Sequence, residues 1–317
     1  MPELPEVETI ARGLAKRVTG DVIESVWLGQ KKEPLKSPAH EIAAALDHTR
    51  IVSVHRMGKH IVIELDRVGR GLPSTSSGQA LPANGRQKRR SRKEDKSVTT
   101  KGDKNNHSTD ADKSVRPTKA QWIVHLGMTG RLQVCDSNEE VAKHTHAIAK
   151  LASGRELRFV DPRRFGRLSV ATSIEFDATG IEPLEIESDN FIELFRGRKT
   201  PIKSALLNRK LLRGVGNIYA DESLFRAGIR PRRRATSIKR EQLAKLSNEL
   251  KEVLKEAIAL GGSSVSDYVD ADGEEGFFQL QHRVYARENE PCLVCKTPIK
   301  RVVIAGRSSH YCSKCQR

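Results

Sequence analysis

Four cysteines near the end of the chain have the spacing of metal ligands. Cys292 and Cys295 form one C-x2-C pair, and Cys312 and Cys315 form a second pair after 16 intervening residues. Two thiolates on one tight turn can share a tetrahedral ion, so two such turns predict one structural Zn²⁺ with no ligand position left for water. Two disulfides are the alternative. The acidic N-terminus lacks the basic and apolar regions of a secretory signal, which disfavours them.

The segment between the two cysteine pairs contains IAGRSSH, which predicts a hairpin with Arg307 at its exposed tip. The zinc ion would then fix the position of Arg307. The fifth cysteine, Cys135, is distant from this cluster in the sequence and is predicted to be a buried core thiol.

A glycine-rich turn, RGVGN, joins two predicted helices. Gly214 and Gly216 would allow close approach by another backbone, and Asn217 is predicted to be the N-cap of the second helix. Exposed amides at a helix N-terminus bind phosphate. An ordinary helix–helix turn is the alternative, and the basic character of the chain favours contact with a DNA backbone.

The charge of the chain indicates a polyanionic partner. The 317 residues include 56 Lys+Arg and 40 Asp+Glu, a net charge of +16, which suits nucleic acid or an acidic membrane surface. No apolar run is long enough to span a bilayer, so we expect a cytoplasmic protein without membrane association. Residues 70–119 hold 13 basic and 5 acidic residues, a net +8. This insertion is predicted to be disordered, either a solvated loop or a non-specific phosphate tether.

The distribution of apolar residues predicts a β-rich domain followed by a helical domain. A helix is expected over 5–18, and a long helix with apolar residues at helical spacing is expected to end at Gly261. The order is therefore strands, a hinge near 181–188, helices and a cysteine-rich tail. The predicted strands are HIVIELD, QWIVHLGM, RLQV, HAIAKLA and LRFVD, which start at residues 60, 121, 131, 146 and 157.

With these elements placed, the chain resembles the formamidopyrimidine-DNA glycosylase family. The resemblance covers nearly the whole chain except 70–119, and it implies an α+β fold: an N-terminal β-sandwich with flanking helices (1–180), a helix–two-turn–helix domain (189–282) and a four-cysteine zinc finger (283–317). The matching motifs, in family order, are MPELPEVE, MGKHIVIEL, HLGMTGRL, DPRRFG, GVGNIYADESLFRAGI and GGSSVSDY.

The resemblance implies a base-excision repair enzyme of the bacterial cytosol. It would act as a monomer, remove oxidised purines such as 8-oxoguanine and formamidopyrimidines from double-stranded DNA, and cleave the strand by β,δ-elimination. After removal of Met1, Pro2 would be a secondary amine with a pKa of about 8, able to attack C1′ of the sugar and form a Schiff base. Glu3 would act as general acid and base, and Glu6 would hold the amine or a water.

Two basic residues complete the implied catalytic set. Lys59 resembles the family's proton donor for β-elimination, and a plain phosphate contact is kept as its second role. Arg307 resembles the donor for δ-elimination. A guanidinium is always charged and is a poor acid, so stabilisation of the leaving phosphate describes its role better.

The resemblance also implies a DNA-binding surface. Extrusion of the damaged base leaves a gap, which Met128, Arg163 and Phe165 would fill as a wedge. Arg163 carries only donors and should favour cytosine, whose pairing edge offers two acceptors, opposite the lesion. The segment 262–279 is expected to close over the extruded base. The remaining implied DNA contacts are His144, Arg198, Lys203 and Asn217.

Two other functions are weighed against this one. A sister glycosylase for oxidised pyrimidines typically begins Pro-Glu-Gly and lacks the full wedge, whereas Leu4 follows Glu3 here. A non-enzymatic zinc-finger DNA-binding protein would have no use for a free Pro2 amine beside Glu3. A zinc nuclease is disfavoured because the sequence has no evident open His/Asp site.

Overall fold

The computed structural model describes residues 2–31, 33–68, 119–172, 176, 178–264 and 274–317. The basic segment 70–119, apart from its last residue, and the middle of the segment 262–279 therefore lie outside the described residues. Among the helices that are described, none is long and apolar enough to cross a membrane.

Eight antiparallel strands form the N-terminal half of the fold in the order β5-β7-β6-β1-β2-β3-β4-β8. β1 joins two groups of strands, because its first residues pair with β2 and the following ones pair with β6. Both groups contribute to one apolar core. The expected β-sandwich is confirmed, with a sheet that continues through β1. The strands are β1 (Val22–Leu28), β2 (Thr49–Met57), β3 (His60–Arg67), β4 (Lys119–His125), β5 (Arg131–Asp136), β6 (Thr145–Leu151), β7 (Arg155–Val160) and β8 (Arg167–Ala171).

The five predicted strands are present, and the largest difference lies at the end of β4. This strand is predicted to continue to Met128, but it ends at His125. Gly127 has a φ of +69°, a left-handed conformation that breaks the extended chain. Met128 consequently lies on a loop rather than in the sheet.

The first helix, α1 (Leu4–Val18), connects the two halves of the protein. Its apolar residues recur at helical spacing, and those from Val7 to Val18 pack in the core of the sheet. Leu4 is completely buried in the core of the helical half instead. The N-terminus of the chain is thereby fixed where the two halves meet.

The C-terminal half is helical, as the sequence predicts. The long helix α6 (Arg240–Ala259) buries Leu243, Leu246, Leu250, Val253 and Leu254 along one side and is followed by the glycines that start at position 261. The helix before the glycine-rich turn, α4 (Ile202–Leu206), contains only five residues. The helices after α1 are α2 (Ala39–Leu46), α3 (Ser188–Phe195), α4 (Ile202–Leu206), α5 (Asn217–Ala227) and α6 (Arg240–Ala259).

A buried ion pair attaches the C-terminal hairpin, β9 (Ile299–Ile304) and β10 (Arg307–Cys312), to the helices. Lys203 Nζ lies 2.7 Å from Asp221 Oδ1 and donates a hydrogen bond to the Ser308 carbonyl. The His310 amide donates to Asp221 Oδ2 at 2.9 Å. Lys203 on α4 and Asp221 on α5 are both almost completely buried. Together they fix the hairpin that carries Arg307.

Replacing Asp221 with alanine should destabilise the protein by about 3–5 kcal/mol, because it leaves the buried Lys203 ammonium without its counter-charge. Asp189→Ala is the matched control, since it breaks an exposed ion pair with Arg240 and should cost less than about 1 kcal/mol. Urea unfolding measures both. Equal losses for the two variants would contradict the role of the buried pair.

Candidate active site and nucleic-acid interface

Glu3 is buried between the start of α1 and the N-terminus of α5. Its Oε1 accepts a hydrogen bond from the Ile218 amide at 3.4 Å. Gly216 provides the space, because a Cβ at this position would lie 2.0 Å from Glu3 Cδ. The Leu4 amide donates to the Gly214 carbonyl at 3.1 Å. The close approach of another backbone that these glycines predict is therefore confirmed, and its source is the N-terminus of the chain itself.

This arrangement corrects two expectations for the glycine-rich turn. Gly216, not Asn217, is the N-cap of α5, and Asn217 is the first residue inside the helix. The amides of Asn217 and Ile218 bind the Glu3 carboxylate. The prediction that the amides at this helix N-terminus bind a DNA phosphate is wrong for these two, because an internal anion occupies the position.

The surroundings of Glu3 suit proton transfer. Burial raises the pKa of Glu3 above its ordinary value, and the opposing effects of Lys59 and of the α5 amides do not cancel this shift. Glu3 Oε2 is buried and has no hydrogen-bond partner among the residues that the structure describes. A carboxyl with a raised pKa and one unengaged oxygen holds a proton more readily than an exposed carboxylate does, as a general acid requires.

Glu6 holds the backbone around Glu3. Its Oε2 accepts a hydrogen bond from the Glu3 amide at 2.7 Å, and its Oε1 accepts from the Ser263 amide at 2.8 Å and from the Tyr219 hydroxyl. This one carboxylate thus connects α1, α5 and the beginning of the segment 262–279. The middle of that segment, 265–273, lies outside the described residues.

Lys59 lies in the tight turn between β2 and β3 and is 9% exposed. Burial lowers the pKa of Lys59 below its ordinary value, more than the attraction of Glu3 raises it. The turn is fixed by Glu182, whose Oε1 accepts from the Gly58 amide at 2.8 Å and from Arg56 Nη1 at 2.8 Å. An amine with a lowered pKa gives up its proton more readily than an exposed lysine does.

A cavity of about 250 Å³ lies beside Lys59. His125 lines it and accepts the Gly127 amide at Nδ1. Burial, with a smaller contribution from His60, lowers the pKa of His125 to about 3, so its imidazole is neutral. Arg209 also lines the cavity. Neither His125 nor Arg209 is among the residues that the sequence predicts. The HLGM motif contains the histidine and could have indicated it, whereas Arg209 belongs to none of the quoted motifs.

Arg307 is exposed at the first position of β10, immediately after the Ala305–Gly306 turn. The prediction of an exposed hairpin tip is confirmed. The charge of Arg307 contributes to lowering the pKa of Lys59, so the hairpin tip lies within electrostatic range of the β2–β3 turn. Residues from α1, the sheet and the C-terminal hairpin therefore converge.

The three wedge residues lie on two loops at the surface. Phe165 is 51% exposed, Arg163 is exposed, and Met128 is half-buried. The guanidinium of Arg163 lies 4.8 Å from the centre of the Phe165 ring, a cation–π contact. An exposed aromatic ring stacked with a cation is available to contact a ligand, and Phe165 does not pack in the core.

The other predicted DNA contacts have different surroundings. His144 is exposed on the β5–β6 loop, and Arg198 is half-buried, with its Nε donating to the Leu194 carbonyl at the end of α3. Lys203 differs from the predicted DNA contact. Its ammonium is buried in the ion pair with Asp221 and cannot reach a phosphate in this structure.

Cys135 also differs from its prediction. It is half-exposed rather than buried in the core. β5 is the terminal strand of the sheet, and side chains alternate between its faces. The neighbouring residue Val134 therefore occupies the core position.

The four C-terminal cysteines fit a single zinc ion. Their Sγ atoms all lie within 4.8 Å of one another, with 3.9 Å between Cys292 and Cys315 and 3.4 Å between Cys295 and Cys312. Four sulfurs at Zn–S distances of about 2.3 Å in a tetrahedron lie about 3.8 Å apart. Zn²⁺ bound here by four thiolates is structural, and the predicted zinc finger is confirmed.

Comparison with known families agrees with this architecture. Residues 1–168 match the formamidopyrimidine-DNA glycosylase N-terminal domain, 179–269 match its H2TH domain, and 289–317 match the zinc finger found in FPG and IleRS. These are the parts of a base-excision DNA glycosylase. The chain belongs to the formamidopyrimidine-DNA glycosylase family, whose members act on damaged DNA.

Individual relatives align over the full chain. The formamidopyrimidine-DNA glycosylases of Solibacter usitatus and Gluconobacter oxydans are 40% and 35% identical, with 100% of each chain covered. The crystal structure of MutM (Fpg) from Thermus thermophilus superposes with a TM-score of 0.74 at 34% identity, covering 99% of this chain and 98% of that one. Lactococcus lactis Fpg in complex with abasic-site DNA gives 0.76 at 26% identity, covering 99% of both chains.

Replacing Gly216 with alanine should lower the rate of base excision by about 100-fold, because the new Cβ displaces the Glu3 carboxyl, which is predicted to act as general acid and base. Gly29→Ala is the matched control, since its Cβ would have no neighbour closer than 3.5 Å. Single-turnover excision from damaged duplex DNA measures the effect. Unchanged excision by Gly216→Ala would show that the position of Glu3 is not critical.

Proposed function

We propose that this enzyme excises 8-oxoguanine and formamidopyrimidines from double-stranded DNA and then cleaves the strand by β,δ-elimination. It would thus combine DNA-formamidopyrimidine glycosylase with DNA-(apurinic or apyrimidinic site) lyase activity. The observation that carries the proposal is the convergence of Glu3, with its raised pKa, and Lys59, with its lowered pKa, from separate parts of the chain. Solved complexes of Lactococcus lactis Fpg with Fapy-dG DNA and with abasic-site DNA add support.

The proposed nucleophile is the secondary amine that Pro2 acquires when Met1 is removed. Attack of this nitrogen on C1′ breaks the glycosidic bond and releases the base, and opening of the sugar ring leaves an iminium ion. The iminium acidifies the C2′ proton. Loss of that proton expels the 3′ phosphate in β-elimination, and expulsion of the 5′ phosphate follows in δ-elimination.

Proton transfers in this scheme are assigned to Glu3 and Lys59. A carboxyl with a raised pKa can donate a proton to one leaving group and remove one from the next intermediate. Lys59 donates the proton in β-elimination, and contact with a DNA phosphate is its second role. Glu6 keeps Glu3 in place through the Glu3 amide, and its predicted contact with the amine or a water belongs to the same proposal.

Arg307 is proposed to stabilise the phosphate that leaves in δ-elimination. Its guanidinium is exposed at the hairpin tip and permanently charged, so electrostatic stabilisation fits it better than proton donation. The zinc ion supplies no chemistry here; it holds the hairpin.

The proposed DNA interface includes the wedge and several basic or polar side chains. Met128, Arg163 and Phe165 would fill the gap left by the extruded nucleotide, with Arg163 donating to N3 and O2 of the opposite cytosine. His144, Arg198 and the Asn217 side chain would contact the DNA backbone. We also propose a cytoplasmic monomer with domains at 1–180, 189–282 and 283–317.

Excision of oxidised pyrimidines is the second candidate activity. A structure of Lactococcus lactis Fpg holds DNA containing an oxidised pyrimidine. The full wedge and Leu4 at the position after Glu3 favour purines as the main substrates.

Borohydride trapping tests the nucleophile. With a duplex carrying 8-oxoguanine opposite cytosine, the enzyme should form a covalent protein–DNA adduct, because borohydride reduces the iminium to a stable amine. Peptide mass spectrometry should place the DNA on Pro2. The adduct should disappear in a protein whose N-terminus is acetylated.

The control for trapping is a protein acetylated only at lysines, with its terminal amine free, which should still form the adduct. An adduct that persists on the N-terminally blocked protein would place the nucleophile on a lysine such as Lys59.

Arg163→Leu should reduce the preference for cytosine over adenine opposite 8-oxoguanine by about tenfold, since leucine cannot donate to either acceptor of cytosine. The measurement is the ratio of single-turnover excision rates from the two duplexes. Arg167→Leu, which removes another exposed cation of the same segment, should leave the ratio unchanged. Equal losses in both variants would assign the effect to overall charge.

A further inference from the structure

Asp161 is a buried carboxylate that joins the two loops carrying the wedge residues. It is 0% exposed. Its Oδ1 accepts from the Thr129 hydroxyl at 2.6 Å and from the Arg163 amide at 3.2 Å, and its Oδ2 accepts from the Gly166 amide at 2.7 Å. Thr129 follows Met128 on one loop, and the other two donors are on the loop 161–166. Both carboxylate oxygens are therefore used to hold loop backbone or loop side chain.

The two loops touch through their backbones at this point. A Cβ on Gly127 would lie 2.5 Å from the Phe165 carbonyl carbon. Arg164, between the two wedge residues of the second loop, has a φ of +56°, which is unfavourable for a residue with a side chain. Its amide donates to the Asp161 carbonyl at 3.3 Å. The loop shape thus depends on the bonds that Asp161 makes.

The backbone of Asp161 reaches a third element. Its amide donates to the His144 carbonyl at 3.0 Å, and its carbonyl oxygen lies 3.0 Å from His146 Nε2. The loop that presents His144 is therefore fixed by the same residue. Hydrogen bonds in a buried, fully satisfied network hold their partners in one arrangement.

We propose that Asp161 is a positioning residue. By holding the two loops together it sets the position of Arg163 relative to Met128, and it thereby determines which base is accepted opposite the lesion. This inference rests on the proposed function, in which Arg163 reads the opposite base. A guanidinium distinguishes the acceptors of cytosine only when it enters the gap at a fixed depth. The link from Asp161 to Thr129 connects the Arg163 loop to the Met128 loop.

Thr129→Val tests this link while leaving Asp161 and Arg163 in place, because valine has the shape of threonine without its hydroxyl. The cytosine-to-adenine excision ratio should fall by about fivefold, the effect of losing one buried hydrogen bond. Thr129→Ser keeps a hydroxyl and should restore most of the ratio. Cleavage of a single-stranded abasic oligonucleotide, which has no opposite base, should remain within about twofold of wild type.

Thr49→Val is the matched control, since it removes another buried hydroxyl bond, which Thr49 donates to the carbonyl of Leu46, the last residue of α2. It should leave the ratio unchanged. Because the ratio is measured on one preparation, the fraction of folded protein cancels. A wild-type ratio in Thr129→Val, or an equal change in Thr49→Val, would overturn the inference.

Asp161→Asn provides an independent variant of the same shape. Both oxygens of the Asp161 carboxylate accept hydrogen bonds, whereas an asparagine side chain has one acceptor oxygen and one NH₂ group. A donor on one of the loops would therefore face an NH₂ group. The ratio should fall further than in Thr129→Val, and an unchanged ratio would overturn the inference. Experiments on the wild-type enzyme test the proposed function, which requires that it forms the trapped adduct and prefers cytosine opposite the lesion. The variants test only the role of Asp161.

Discussion

The contact between the Glu3 carboxylate and the first turn of α5 places the N-terminus of the chain in the site. The partial positive charge at a helix N-terminus stabilises a buried carboxylate, and the absence of a side chain at Gly216 allows the approach. α1 packs on the sheet, whereas α5 belongs to the helical half. The position of Pro2 therefore depends on how these two halves meet.

Three other buried carboxylates also accept hydrogen bonds from backbone amides of the segments around the site. Glu6 binds the Glu3 amide, Glu182 binds the turn that carries Lys59, and Asp221 binds the hairpin that ends in Arg307. Each acid accepts backbone amides from a different part of the chain. A buried carboxylate is costly unless its oxygens are satisfied, so such residues hold the segments around them in one arrangement. These acids have no proposed part in proton transfer. They position the residues that are proposed to do the chemistry.

The elements of the fold follow closely from sequence patterns. Strands β3 to β7 are predicted from alternating and β-branched residues, and α6 is predicted from its apolar spacing and the glycines after it. The sequence-based prediction is wrong where the preference of a local sequence pattern conflicts with a contact in the tertiary structure. β4 ends at His125 because the chain must turn at Gly127, and Gly216 takes the cap position at which the sequence favours Asn217. The space that Glu3 needs explains the second difference.

The sequence by itself determined the zinc ligands, the exposed position of Arg307 and the order of the domains, because these depend on residues close together in the chain. Only the tertiary structure decided that Lys203 is buried in an ion pair, that Glu3 lies on a helix 215 residues away, and that Asp161 joins the wedge loops. Burial and long-range pairing also set the pKa values of Glu3 and Lys59. Such effects arise from packing between distant segments, which no local spacing encodes.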